Sequence, residues 1–258
     1  MTPQDTAAQT FHALHKVGDP LVLFNIWDPG SAKAVEKAGA QALATGSAPV
    51  AMAHGFGDGE KIPFDIALDN TKRIIDAVGV PVSADLEGGY SSDPSIVAVT
   101  IEHAVKTGIV GFNFEDQIIG GNGLYTPDIQ SRRIAASRAA ADKCCPGIFI
   151  NARTDIFLKA KPDTHTDAML EDALERAKAF EQAGADGFFA PGLVDEGLIG
   201  KLCEACALPV NIIALPHAPD ADRIKALGAA RISYGPVPYK KMSAWLTEQA
   251  KEALASIG

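Results

Sequence analysis

Residues 147–190 read GIFINARTDIFLKAKPDTHTDAMLEDALERAKAFEQAGADGFFA. A short apolar run at 147–151 predicts a strand, a long segment at 165–182 a helix, and 186–190 a second strand. Within the long segment Leu170, Ala173, Leu174, Ala177 and Phe180 recur at helical spacing on one face. The segment ends in small residues around Gly184, the residue type that favours a left-handed helix cap. This is one β/α unit followed by the start of the next.

The unit repeats outward in both directions. Upstream, strands predicted at 21–26, 41–45, 80–84 and 110–114 alternate with helices at 30–38, 65–77, 94–106 and 129–142. Downstream come a helix at 195–206, a strand at 209–213, a helix at 219–227, a strand at 230–233 and a helix at 237–255. The endings KAGA, KTGI and ALGAA repeat the small-residue and glycine signal. With an extra helix near residues 5–16, the count is eight strands and eight β/α helices in 258 residues. That count predicts a (β/α)8 TIM barrel. An open doubly wound sheet is the competitor, and no G-x-G-x-x-G follows the first strand to support it. No linker or change of composition interrupts 1–258, so a single domain is expected.

Hydrophobic residues at 47% and charged residues at 21% allow a real core and exclude wholesale disorder. The formal net charge of −9 argues against nucleic acid as a partner, because that affinity rests on neutralising phosphates. The pairs Arg132-Arg133 and Lys240-Lys241 are too short to reverse it. No apolar run reaches the roughly 18 residues of a membrane span, and the N-terminus has no secretory pattern. A cytoplasmic location is expected. The four cysteines fit a reducing compartment, with Cys203, Cys206, Cys144 and Cys145 read as packing residues.

A barrel carries its site at the C-terminal ends of its strands. The third strand ends SADLEGGYSSD, which brings Asp85 and Glu87 to the rim on one side, with Gly88-Gly89 allowing a tight turn. The fourth ends FNFEDQ and adds Glu115 and Asp116; the fifth ends INARTD and adds Arg153 and Asp155. Asp58 lies in the loop after the second strand, within HGFGDGE. Carboxylates converging on one opening repel one another unless a cation sits between them. Oxygen ligands without cysteine or paired histidines favour Mg2+, or Mn2+, over zinc. Arg153 is placed to grip a substrate carboxylate, and Gly46, Ser47 and Ala48 to offer N–H groups and a hydroxyl to the same anion. Asp93 and Asp163 are expected helix caps. Asp116 reads equally as a site acid or as a cap or ion-pair residue. His54 and His217 fall in loops without readable partners, and Trp27 and Tyr90 either line the pocket or pack at its rim.

Taken in order, FNIWDPGSAKAVEKAGA, ATGSAPVAMAHGFGDGE, SADLEGGYSSD, FNFEDQ, INARTD and RISYGP resemble the isocitrate lyase/phosphoenolpyruvate mutase superfamily, specifically its short bacterial members. The resemblance implies a (β/α)8 barrel assembled as a homo-dimer or homo-tetramer, with the last helix exchanged between neighbours. It implies Asp85 as the main Mg2+ ligand, with Glu87, Glu115 and Asp58 acting directly or through water. Arg153 and residues 46–48 would hold the substrate carboxylate, with Trp27 and Asn211 in the substrate-binding set. Asp58, Glu115 and Arg153 would be the catalytic residues. The implied chemistry is cleavage of a C–C bond in a small 2-oxo or 2-hydroxy carboxylate, of the oxaloacetate or substituted-malate class, through a metal-stabilised enolate.

Two departures shape that expectation. Lyases of the family carry a K-K-C-G-H-type motif after the fourth strand, whereas residues 117–128 here read QIIGGNGLYTPD, with no Cys, Lys or His. Glu87 stands where many relatives have Asp. Phosphoenolpyruvate or phosphonopyruvate chemistry is the alternative activity, and a non-catalytic 2-oxo acid binding protein the alternative class. The glycines at 120–123 suggest a mobile lid. In the terminal helix Met242, Trp245, Leu246 and Leu254 could cover this barrel or a neighbour's.

Overall fold

The computed structural model describes residues 2–256. In chain order they form α1 (Pro3–Ala13), β1 (Leu21–Leu23), α2 (Pro29–Lys37), β2 (Leu43–Ala44) and α3 (Ser47–Ala53). Next come α4 (Phe64–Ala77), β3 (Val82–Asp85), α5 (Pro94–Lys106), β4 (Gly111–Glu115), α6 (Pro127–Cys144) and β5 (Phe149–Arg153). The chain ends with α7 (Asp167–Gln182), β6 (Gly187–Phe189), α8 (Glu196–Ala205), β7 (Val210–Ile213), α9 (Ala221–Ala226), β8 (Arg231–Ser233) and α10 (Val237–Ala255).

The strands lie in the order β1-β8-β7-β6-β5-β4-β3-β2, and every ladder between named strands is parallel. One seam remains, between β1 and β2, and a lone parallel bridge from Ile26 to Thr45 crosses it. Asn25 fastens the same seam from both sides. Its Nδ2 donates to the Thr45 carbonyl (3.0 Å), and its Oδ1 accepts from the N–H groups of Tyr234 (2.9 Å) and Gly235 (2.7 Å). The expected (β/α)8 barrel is therefore what forms.

Local sequence explains most of the helices. Asp93 caps α5 by accepting from the Ser95 N–H (2.8 Å), and Asp195 and Asp220 cap α8 and α9 in the same way. On α7 the predicted face is buried at Leu170, Ala173, Ala177 and Phe180, with Leu174 partly buried against the core. Two expectations fail. No helix is expected between the strand at 41–45 and the helix at 65–77, yet residues 47–53 form α3, because a seven-residue helix with Gly46 as its N-cap and no side-chain cap gives no periodic signal. Asp163 caps nothing: it lies inside a single 3-10 turn (Pro162–Thr164), and Thr166 caps α7.

The barrel interior is unusually polar for this architecture, where branched apolar residues normally dominate. Asn113 on β4 accepts from Asn151 Nδ2 (2.8 Å) and from Arg231 Nη2 (3.1 Å), although β8 stands across the barrel from β4. Arg231 is 1% exposed and thus spans the floor beneath the strand ends. All four cysteines are free. Among the described residues no helix is long and apolar enough to cross a membrane.

Candidate active site

Three strand ends and one short helix meet above that floor. Asp85 closes β3, and its Oδ2 accepts from both the N–H (3.1 Å) and the Oγ–H (2.8 Å) of Ser47 at the start of α3. The Asp85 N–H in turn donates to Thr45 Oγ1 (2.9 Å). The strand-two and strand-three loops are thereby locked together. One of the N–H groups expected to receive a substrate anion is already committed to Asp85.

Beyond Asp85 the chain makes an unusual turn. Among the described residues Glu60 (φ 55°), Glu87 (φ 50°) and Tyr90 (φ 59°) are the non-glycine residues in the left-handed region. Glu60 is hydrogen-bonded to each of the other two. The Glu60 N–H donates to Glu87 Oε2 (2.8 Å), and the Tyr90 N–H donates to Glu60 Oε1 (2.7 Å). Strain of this kind persists only where surrounding contacts enforce it. Gly88 completes the clasp: a Cβ there would lie 3.1 Å from Glu60 Oε1 and 3.2 Å from Ile119 Cδ1. Burial first, then the neighbouring Asp85 charge, pushes Glu87 up to about 8. Glu60 is raised by burial as well.

On the opposite wall Arg153 ends β5 and is held on three sides. Its Nη1 pairs with Glu115 Oε2 (2.8 Å), while Nε and Nη2 make a bidentate grip on Asp155 (2.6 and 2.9 Å). Burial drives Glu115 well above its ordinary range, against the pull of Arg153. Asp116 belongs to the scaffold. It is fully buried, accepts from the Asp155 N–H (3.0 Å) and pairs with Arg176 of α7 (3.0 Å). Asp58 stands at the mouth, raised by desolvation and then by Asp85.

A cavity of about 240 Å³ opens between these walls, lined by Ser47, Asp58, Asp85 and Arg153 together with Gly46 and Ala48. Asn25, Asn113 and Ser233 line it too. Trp27 does not reach it; its ring packs edge-on against Tyr239 and joins a small cluster with Val50 and Ile62. Asn211 sits just beneath, its Oδ1 accepting from Ser233 Oγ (3.1 Å). His54 folds back on the Val50 carbonyl (2.9 Å), and neither it nor His217 lines the cavity. The 117–128 loop is tied into a turn by a Gln117–Leu124 bridge and an Ile118 N–H to Gly123 O bond (3.2 Å).

Among the described residues no three His, Cys, Asp or Glu side chains are grouped so as to hold a metal ion. Asp85, Glu87 and Glu115 are thus not assembled as one ligand set. The reason is visible in their partners: Glu87 is turned to the Glu60 backbone and Glu115 to Arg153, leaving Asp85 and Asp58 on the cavity. Glu60 escaped the reading of the sequence. Its only signal was a place two residues after Asp58.

The raised acids set a pH dependence with a definite sign. In the metal-free protein Glu87 keeps its proton to about pH 8, whereas an unfolded chain releases it near 4.5. The folded state then binds more protons between those values, so stability falls as pH rises across that window and levels above it. Thermal melts in EDTA from pH 5 to 9 check this. A melting temperature that climbs through the window would show Glu87 ionised when folded.

Comparison with known proteins gives the family. A family model described as phosphoenolpyruvate phosphomutase matches residues 11–254. A solved structure from Burkholderia cenocepacia J2315, named provisionally as a phosphonomutase, is 43% identical with a TM-score of 0.94, over 97% of this chain and 99% of that one. An uncharacterized protein of Mycobacterium tuberculosis (strain ATCC 25618 / H37Rv) is 33% identical over 233 residues, covering 89% of this chain and 83% of that one. The 2-methylisocitrate lyase of Escherichia coli (strain K12) is 23% identical over 240 residues, covering 91% and 80%. The chain belongs to the phosphoenolpyruvate phosphomutase family, within the isocitrate lyase/phosphoenolpyruvate mutase superfamily of lyases and mutases.

Proposed function

We propose that the protein is a Mg2+-dependent lyase that breaks a C–C bond in a small 2-oxo or 2-hydroxy carboxylate. The observation that carries this reading is the placement of Asp85, Asp58, Ser47 and Arg153 on one cavity at the C-terminal ends of the strands. Relatives are named for 2-methylisocitrate, 2,3-dimethylmalate and oxaloacetate. A phosphonopyruvate hydrolase of the same fold is described in complex with oxalate and Mg++.

The donor set suits the metal. Asp85 and Asp58 are hard oxygen donors, and no thiolate or imidazole lines the cavity. Mg2+ keeps several waters and commonly takes only one or two protein carboxylates, so an unassembled ligand set is compatible with it. Asp85 would be the direct ligand, with Glu87 and Glu115 behind it. When bound, the metal supplies Lewis-acid stabilisation of charge on the 2-oxo oxygen. The protein does the rest. Ser47 fixes the Asp85 carboxylate, Arg153 presents a cation that cannot be deprotonated to the substrate carboxylate, and Glu115, paired with that cation and raised by burial, can hold a proton beside it. Asp58, also raised, can hold a proton at the mouth.

P–C chemistry is less well served, since a phosphoryl dianion needs cations and residues 117–128 contribute none. A proton and phosphorus NMR time course, with and without Mg2+, tests the choice. The panel is oxaloacetate, a 2,3-dialkylmalate, 2-methylisocitrate, phosphonopyruvate and phosphoenolpyruvate. Metal-dependent release of a 2-oxo acid from a carbon substrate is expected. Turnover confined to the phosphorus compounds would overturn the lyase reading.

A second copy is part of the proposal. Of its nineteen residues α10 buries only Pro238, and Trp245, Leu246 and Leu254 are exposed. On the barrel flank Val22 on β1 and Phe24 just after it are exposed beside a groove lined by Val35 and Ala38. Each chain thus offers an uncovered apolar helix and an uncovered apolar strand. Light scattering after gel filtration should find a dimer or tetramer, and the double variant Trp245→Glu, Leu246→Glu should run as a monomer. An unchanged mass for that variant would remove α10 from the interface.

A further inference from the structure

Asn113 lines the cavity two residues before Glu115 on β4 and is the register partner of Asp85 on β3. Its amide can face only one way. Oδ1 accepts from Asn151 Nδ2 (2.8 Å) and from Arg231 Nη2 (3.1 Å). A guanidinium has no acceptor, so turning the amide over would set N–H against N–H. It would also strip Arg231 of its partner. Arg231 is 1% exposed, and its Nε and Nη1 bond to nothing among the described residues, which leaves Asn113 Oδ1 as its acceptor.

The other side of the amide is uncommitted. The amide, hydroxyl and guanidinium donors on the cavity belong to Asn25, Ser47, Asn113, Arg153 and Ser233. Asn25 donates to Thr45, Ser47 to Asp85, Arg153 to Asp155 and Ser233 to Asn211. Asn113 Nδ2 alone donates to no described residue, and unlike Asn211 Nδ2 it is not sealed in the interior. Its open surface is the cavity that Asn113 lines. Two donors on Oδ1 polarise the amide and strengthen its N–H groups. A donor already fixed in direction stabilises negative charge without having to reorganise.

Resting on the lyase reading, we propose that Asn113 donates an amide N–H to an oxygen of the substrate's 2-oxo (or 2-hydroxy) carboxylate unit. Arg231, which does not line the cavity, is the positioning residue that keeps the N–H side of that amide turned to the substrate. Asn113 thus takes the substrate-binding place expected of Asn211, which is fully buried.

A crystal structure of the protein with Mg2+ and oxalate should place an oxalate oxygen within about 3.2 Å of Asn113 Nδ2. Calorimetric titration gives the energetic half. Asn113→Asp keeps an oxygen for Arg231 and Asn151 but turns an acceptor to the cavity, so oxalate should bind at least about tenfold more weakly. Arg231→Met frees the amide without touching the cavity. Oxalate should then weaken by about twofold or more, since an amide free to take either orientation is competent half the time. Mg2+ alone should bind that variant as tightly as before or tighter, because a cation near Asp85 has been removed. A general loosening of the barrel would weaken both, and that result overturns the positioning role. Oxalate seated with no oxygen near Nδ2, or held by Asn113→Asp as tightly as by the unaltered protein, overturns the inference alone. If oxalate and Mg2+ do not bind together, the lyase reading falls and takes the inference with it.

Discussion

Asp85→Ala should abolish metal-dependent turnover, with a loss of about 10³-fold or more in kcat/KM, equivalent to about 4 kcal/mol of transition-state stabilisation. Asp85 is the one carboxylate that both faces the cavity and is oriented by two donors from Ser47. Its removal frees Ser47 but leaves no ion-pair partner stranded, since among the described residues no salt bridge involves Asp85. The fold should survive with only a few degrees lost in melting temperature. Mg2+ titration followed calorimetrically should lose its signal along with activity. If turnover persists at near-normal rate in the folded variant, the site has been placed wrongly.

Arg153→Met should instead strike stability. The substitution leaves Glu115 and Asp155, both nearly inaccessible, without their shared cation. Stranding buried charges in this way costs about 3–5 kcal/mol, which for a chain of this size is a drop on the order of 10 °C. The defect has its own pH signature. Burial already raises Glu115 and Arg153 opposes that, so without the arginine Glu115 takes up a proton more readily when folded than when unfolded, and the loss should be smaller at pH 5 than at pH 8. Arg153→Lys should rescue only part of it, because an ammonium cannot reproduce the two-pronged contact with Asp155. Melting curves for the three proteins at the two pH values decide the matter. A wild-type melting temperature for Arg153→Met at pH 8 would mean that Arg153 is not what stabilises this wall.

The barrel was legible because its signal is repetitive. Eight short apolar runs, each followed by a helical segment and several of these closing on glycine, leave few other architectures of this length. Asp85 and Arg153 were legible for a related reason: each ends a strand, and strand ends face the site. What stayed hidden depends on distance in three dimensions. Residues 47–53 are too few to show helical periodicity. The exchange between Glu60 and Glu87 joins loops 27 residues apart, and neither loop announces it. The cavity lining draws on loops and strands from Asn25 to Pro236, and no local pattern links them. Trp27 shows the opposite failure, a residue in the right loop whose ring turns to Tyr239.

The clasp formed by Glu60, Glu87 and Tyr90 bears on how this protein could be engineered. Each residue occupies backbone territory where a side chain costs about 1 kcal/mol or more that glycine would not incur. A screen for thermal stability would be drawn to these positions, as it would to the buried acids at 87 and 115. Yet Glu60 and Glu87 hold the loops that carry Asp58 and Asp85, and glycine would release them. The easiest stability to gain here is stability taken from the geometry of the site.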